Sequence, residues 1–321
     1  MSPAEFGEVM AAFLYLPSPV CAERQGELLS GRKRVDRYGD EVVSANLPGG
    51  GHKVRHDEMK NKLLQLMRWS GMSVRCEVFG FFAKDIPQQE LARLDRGRKR
   101  QGIIPDFLLP GGGGNSEATL ADLKFITGTV TRYPRHAGPG QEQMKAVQQR
   151  ADLVDIEYQK HAVKLDVQYC GVPKAPRGQP QAEGPVQRRL ASFGKVEGWC
   201  FGVWGEASDE VHTLIHTMVE ARLKIDGQAP GRPGRVKSLE GLKSQLVGSL
   251  RRQISVMAVR CNARLLLSRM ESFVGQGAGE AARRRQVANT LERQQVRERQ
   301  ALALSLGQGR IILRRGCFKL N

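Results

Sequence analysis

Asp106, Asp122 and Lys124 are the residues of this chain whose types and spacing point to chemistry. Asp106 closes the apolar run Ile103-Ile104-Pro105. Asp122 and Lys124 stand two apart in Thr119-Leu120-Ala121-Asp122-Leu123-Lys124-Phe125-Ile126. Alternate residues of a strand share a face, so Asp122 and Lys124 project together. Two charges on one face of so apolar a strand are costly unless something compensates them. A divalent cation with a bound phosphate would do so. The two carboxylates offer hard oxygens suited to Mg2+ or Mn2+. Such an ion polarises a phosphoryl group and acidifies an attacking water. Lys124 would then hold or deprotonate that water, or stabilise charge building on phosphorus. The plainer reading is an ion pair on an edge strand, with Asp106 a strand-end acid.

The elements that must position these side chains can be read from apolar periodicity. Val54, Met59, Leu63, Leu66 and Met67 predict a helix from about His52 that stops at Gly71. Three strands follow, Val74 to Phe82, Gly102 to Leu109 and Ala118 to Ile126. The last two are joined by a Gly-rich hairpin, which sets Asp106 and Asp122 16 positions apart. A helix over 141–166, a strand from Val196 to Trp204 and a helix from Ser208 or Asp209 to about Lys224 complete the series. Helix, strand, strand, strand, helix, strand, helix predicts an α/β domain over 51–226, with a mixed central β-sheet flanked by helices. Residues 1–50 read as a loosely ordered leader and 227–237 as a linker. A long amphipathic, basic helix is expected over 238–274, with Leu242, Leu246, Leu250, Ile254, Met257, Cys261 and Leu265 as its stripe. Residues 275–321 read as a basic, weakly ordered tail.

Pro105-Asp106 followed by Asp122-Leu123-Lys124, inside this element order, resembles the PD-(D/E)xK, or restriction-endonuclease-like, nuclease superfamily. The resemblance spans residues 52–225. It implies an αβββαβ core, metal ligation by Asp106 and Asp122, and a lysine, Lys124, that assists the attacking water. It also implies an acid on the first helix. Glu58 is the matching position, and Glu77 on the first strand is its rival. Each has a plain alternative, Glu58 as a solvated partner of Lys62 and Glu77 as a solvent-facing strand residue. The chain departs from the family in having Asp122 where Glu is usual. Gln148, Gln149, Tyr158 and Lys160 are candidates for the Gln or Tyr that some members carry on the helix after the third strand. More loosely, the arrangement resembles endonuclease-like segments of eukaryotic retrotransposons, so a larger retroelement polyprotein stays open, as does a homodimer. The activity implied is metal-dependent endonucleolytic cleavage of DNA. The alternative is an inactive nucleic-acid-binding protein with a nuclease-like fold.

The charge balance agrees with a polyanionic partner. The chain has 321 residues and a formal net charge of +17. From Gln228 onward there are 19 basic against 5 acidic residues. Such a surface attracts polyanions by counterion release, with nucleic acid ahead of anionic membrane and DNA ahead of RNA. Arg96, Arg98, Lys99 and Arg100 of the loop after the first strand, and Arg251, Arg252, Arg260 and Arg264 of the long helix, are candidate phosphate contacts. The six cysteines form no Cys-x-x-Cys pair, which argues against a zinc ribbon and for a reducing, intracellular compartment, the nucleus in a eukaryote. His52/His56 and His212/His216 have a zinc-compatible spacing, but neither pair has an evident third ligand. No stretch has the length and apolar character of a membrane span.

Overall fold

Alternation and register account for the sheet. The computed structural model describes residues 1–29, 33–45, 47, 51–77, 82–89, 104–111, 118–127, 140–176, 178–179, 181–227 and 239–274. β1 (Arg75–Cys76), β2 (Phe107–Pro110), β3 (Ala118–Phe125) and β4 (Glu197–Phe201) form a four-stranded sheet in the order β1-β2-β3-β4. β2 runs antiparallel to β1 and β3, whereas β4 is parallel to β3. Of the apolar run from Val74 to Phe82, β1 covers Arg75–Cys76, and residues 78–81 lie outside the described residues. Glu77, at the end of β1, takes a left-handed φ of 47° that breaks the extended backbone.

Helices cover both faces of this mixed sheet. On one face, Phe107, Leu109, Ala121, Leu123, Trp199 and Phe201 pack against α4 (Gly51–Trp69), α7 (Asp209–Gly227) and α8 (Leu239–Val274). On the other, Leu108, Ala118, Leu120 and Cys200 meet α5 (Gln141–Tyr169) and α6 (Pro185–Ala191). Met59, Leu63, Leu66 and Met67 are the buried stripe of α4, as their spacing predicts, while Val54 is exposed. Gly71, at φ +83°, supplies the left-handed residue that stops it. α5 buries Val147, Ala151, Val154, Ala162 and Leu165. α6 is an element the loop composition of 173–186 hides. Its free amides are capped from 20 residues away, Val186 N donating 2.9 Å to Asp166 Oδ1 and Gln187 N 2.9 Å to Oδ2.

Two expectations need correction. Residues 1–50 are not a loose leader in the parts described. α1 (Pro3–Phe13), α2 (Pro19–Ala22) and α3 (Asp40–Ser44) all pack on α8. Glu5, Val9, Cys21, Val35, Val42 and Val43 are buried there. Nor is α8 an extension beside the domain. Leu250, Ile254, Ala258 and Cys261 belong to the core on its sheet side, and Leu265, Leu266 and Met270 to the cluster with α2 and α3. Buried Arg269 donates through Nη1 to the carbonyls of Val42, Val43 and Ala45 at 2.8, 2.7 and 2.7 Å, tying the end of α3 to α8. Residues 228–238, most of the expected linker, and the tail beyond 274 lie outside the described residues. Among the described residues no helix is long and apolar enough to cross a membrane.

Candidate active site

The antiparallel register brings the two aspartates together. Phe107 pairs with Ala121 and Leu108 with Leu120. One step further along the ladder sets Asp106 opposite Asp122. Lys124, two residues on, shares the face of Asp122 and pairs with it through Asp122 Oδ2. In β4, Gly198 lies beside Asp122 and Cys200 beside Lys124. The three residues singled out by spacing therefore converge, on the face covered by α5. Both carboxylates are buried.

The chain treats the two acids differently. Asp106 Oδ2 accepts from His56 Nε2 at 2.9 Å and from the Leu123 amide at 2.8 Å. Burial works to raise its carboxyl, but the hydrogen bond and charge of His56 and the Leu123 N–H outweigh it, and Asp106 stays below the usual range. Asp122 is pushed up to about 6, first by burial and further by the negative charge of Asp106, with Lys124 pulling against both. His56 is moved in the complementary direction. Burial disfavours its charged form, yet contact with Asp106 raises it above an ordinary histidine. Tyr158 Oη lies 3.4 Å from the Ile104 carbonyl and beside Asp122. Burial and the two carboxylates keep its phenol protonated far above the normal range.

A second row of charge borders the pair. Lys60, one turn after His56 on α4, is buried and pairs with Glu77 and, at 3.3 Å, with Asp57. The Glu77 amide donates 3.1 Å to the Asp106 carbonyl, so Glu77 is beside the site, with its carboxylate committed to Lys60. Glu58 is not part of the cluster. Its carboxylate accepts from Arg264 Nη1 at 3.0 Å, on the flank of α4 that meets α8. Where the resemblance implies an acid from this helix, the chain turns His56 toward Asp106.

The candidate phosphate contacts divide. Arg96, Arg98, Lys99 and Arg100 lie outside the described residues. Arg260 and Arg264 are bound to buried Glu5 at 2.9 and 3.0 Å and fasten α1 to α8. Arg251 and Arg252 are exposed on α8, with Arg251 3.3 Å from His216. On α5, Gln148 holds the start of α7, accepting from the Asp209 amide at 2.9 Å. Gln149 and Lys160 are exposed. Tyr158 alone of these four adjoins the acids.

No family model, curated protein or solved structure matches this chain. The chemistry of the site therefore rests on its own geometry. Among the described residues no group of three or more His, Cys, Asp and Glu side chains is arranged to hold a metal ion. Two carboxylates are nevertheless a sufficient protein share for Mg2+, which takes one or two and keeps several waters. Burial first, and then the charge of Asp106, disfavour the ionised form of Asp122, and a hard dication held between the two carboxylates would offset that cost.

Proposed function

We propose that this chain is a metal-dependent endonuclease, with a restriction-endonuclease-like core, that hydrolyses phosphodiester bonds of DNA. The observation that carries the reading is the contact of Asp106, just before β2, with Asp122 of β3, with Lys124 on the same face and Asp122 pushed to about 6. Mg2+ or Mn2+ held by the two aspartates would supply Lewis acidity toward a phosphoryl oxygen and an acidified water. The chain's own groups do the rest. His56 and the Leu123 amide fix the rotamer of Asp106 and keep it ionised. Lys124 is a cationic donor beside Asp122, left to hold a water or a phosphate oxygen once that carboxylate is otherwise satisfied. Tyr158 adds a neutral hydroxyl donor at the same place.

Supercoiled plasmid incubated with Mg2+, with Mn2+ or with EDTA tests the reading, and a labelled RNA alongside decides between substrates. Metal-dependent nicking is expected, reduced on the order of a thousandfold or more in Asp106→Asn and Asp122→Asn. Nicking that survives either change, or EDTA, refutes it. One set of contacts favours a second reading, that of an inactive nucleic-acid-binding protein. Asp106, Asp122 and Glu77 each already have a basic partner, in His56, Lys124 and Lys60. That reading expects salt-sensitive DNA binding that neither Mg2+ nor Asp122→Asn alters.

A further inference from the structure

We propose that Arg150 is a phosphate-binding residue of this site, held by Glu157 until a nucleic-acid strand displaces that carboxylate. The inference rests on the nuclease reading and adds to it the contact that holds the substrate backbone.

Three observations converge on Arg150. The first is position. α5 crosses β4 at Gly198, where a Cβ would sit 2.4 Å from the Ala151 carbonyl oxygen. Gly198 lies beside Asp122 in the sheet, and Cys200 beside Lys124. Arg150, the residue before Ala151, is thus on the turn of α5 laid over the strand segment that carries the site. Its charge reaches both Asp122 and Cys200.

The second is the form of its present contact. Arg150 Nη1 and Nη2 donate to Glu157 Oε1 and Oε2 at 2.9 and 3.0 Å, a parallel two-bond fork. The same fork accepts two oxygens of a phosphodiester. The third is exposure. The Glu157 side chain is 51% exposed and that of Arg150 28%. An ion pair so open to solvent contributes little to stability, so a phosphate can displace the carboxylate at small cost. Among the described residues the basic groups expected from sequence lie on α8, Arg260 and Arg264 bound to buried Glu5 and Arg251 and Arg252 exposed, whereas Arg150 stands on α5.

The proposal makes two changes act in opposite directions. Binding of a labelled duplex is followed by fluorescence anisotropy across a salt series, and KM and kcat are measured with Mg2+. Arg150→Gln is expected to weaken binding about tenfold and to reduce the slope of log K against log salt by about one. Its loss in kcat/KM should fall on KM. Arg150→Lys, which keeps the charge but not the fork, should lie between. Glu157→Gln removes the competitor and should tighten binding about threefold or more. A pair with only a structural role moves the melting temperature alike in both variants and leaves binding unchanged. That result, or shifts of the same sign in Arg150→Gln and Glu157→Gln, overturns the proposal. Cleavage that is metal-dependent but blind to Arg150 removes this inference alone. Absence of metal-dependent cleavage in the unaltered protein removes the nuclease reading, and the opposed binding shifts still report on Arg150.

Discussion

Replacing Asp122 by Asn is expected to stabilise the metal-free protein while it abolishes cleavage. The folded chain holds the Asp122 carboxyl at about 6, against an ordinary 3.8. That is a rise of about two pH units, each equivalent to about 1.4 kcal/mol, so the ionised form opposes folding by about 3 kcal/mol near neutrality. The sign follows from proton binding. Between the ordinary and the raised value the folded chain holds more protons than the unfolded one, so stability falls as pH climbs from about 4 to about 6 and then levels off. Asn keeps the shape and removes the charge. Lys124 loses its partner, but a third of its side chain is exposed and water can take over. The net gain should be about 1–3 kcal/mol at pH about 8. Asp106 moves in the opposite sense. Its depressed carboxyl contributes stability above its ordinary range, lost only as pH falls through the lower folded value. Urea unfolding in EDTA at pH about 8 and about 4 measures the effect. The variant should be the more stable at the higher pH, and the difference should vanish at the lower. Adding Mg2+ should then raise the midpoint of the unaltered protein alone. An Asn variant less stable than the parent at pH about 8, or an equal difference at both pH values, would show that the Asp122 charge does not oppose folding.

Gly198→Ala should place a methyl 2.4 Å from the Ala151 carbonyl, lift α5 from the sheet and cost about 1–3 kcal/mol. Because α5 carries Tyr158 and Arg150, plasmid nicking should fall along with the melting temperature, and an unchanged melting curve would contradict the packing described. Arg269→Met should cost about 1–3 kcal/mol, since it leaves the three carbonyls that Nη1 serves without a donor. Hydrogen exchange should show the loss as lowered protection in α3. Protection that falls evenly over the whole molecule would argue against so local a role.

The convergence of Asp106, Asp122 and Lys124 was legible because it depends on local rules. Strand alternation sets Asp122 and Lys124 on one face, and a hairpin between two apolar strands sets the aspartates opposite each other. The acid on the first helix was not legible in the same way. Met59, Leu63, Leu66 and Met67 fix which side of α4 is buried, but His56 and Lys60 flank that stripe on one side and Arg55 and Glu58 on the other. Sequence spacing cannot say which flank meets the strands. The choice is made by α8, whose Asn262 accepts from Arg55 at 2.9 Å and whose Arg264 binds Glu58. Both partners are more than 200 residues away in the chain. Distance of the same kind hid the N-terminal helices. α1, α2 and α3 span 11, 4 and 5 residues, too short to declare an amphipathic period, and they exist as helices because α8 covers them. Arg150 is hidden for another reason. Nothing in its neighbours marks it until α5 is seen laid across Gly198.

The placement of α8 has a consequence for how the protein is made. The apolar side of α4 and the inner cluster formed by α1–α3 both close on a segment synthesised more than 180 residues after α4 begins. A ribosome-bound chain that has emerged only through α7 has every residue of the proposed hydrolytic centre, yet lacks the element that fixes the roll of α4 and so delivers His56 to Asp106. Contacts so remote in sequence form late, after a large loss of chain entropy. Partial translation products should therefore be catalytically silent. On the proposed function, chain connectivity alone then sets a delay between synthesis and activity, with no inhibitor required.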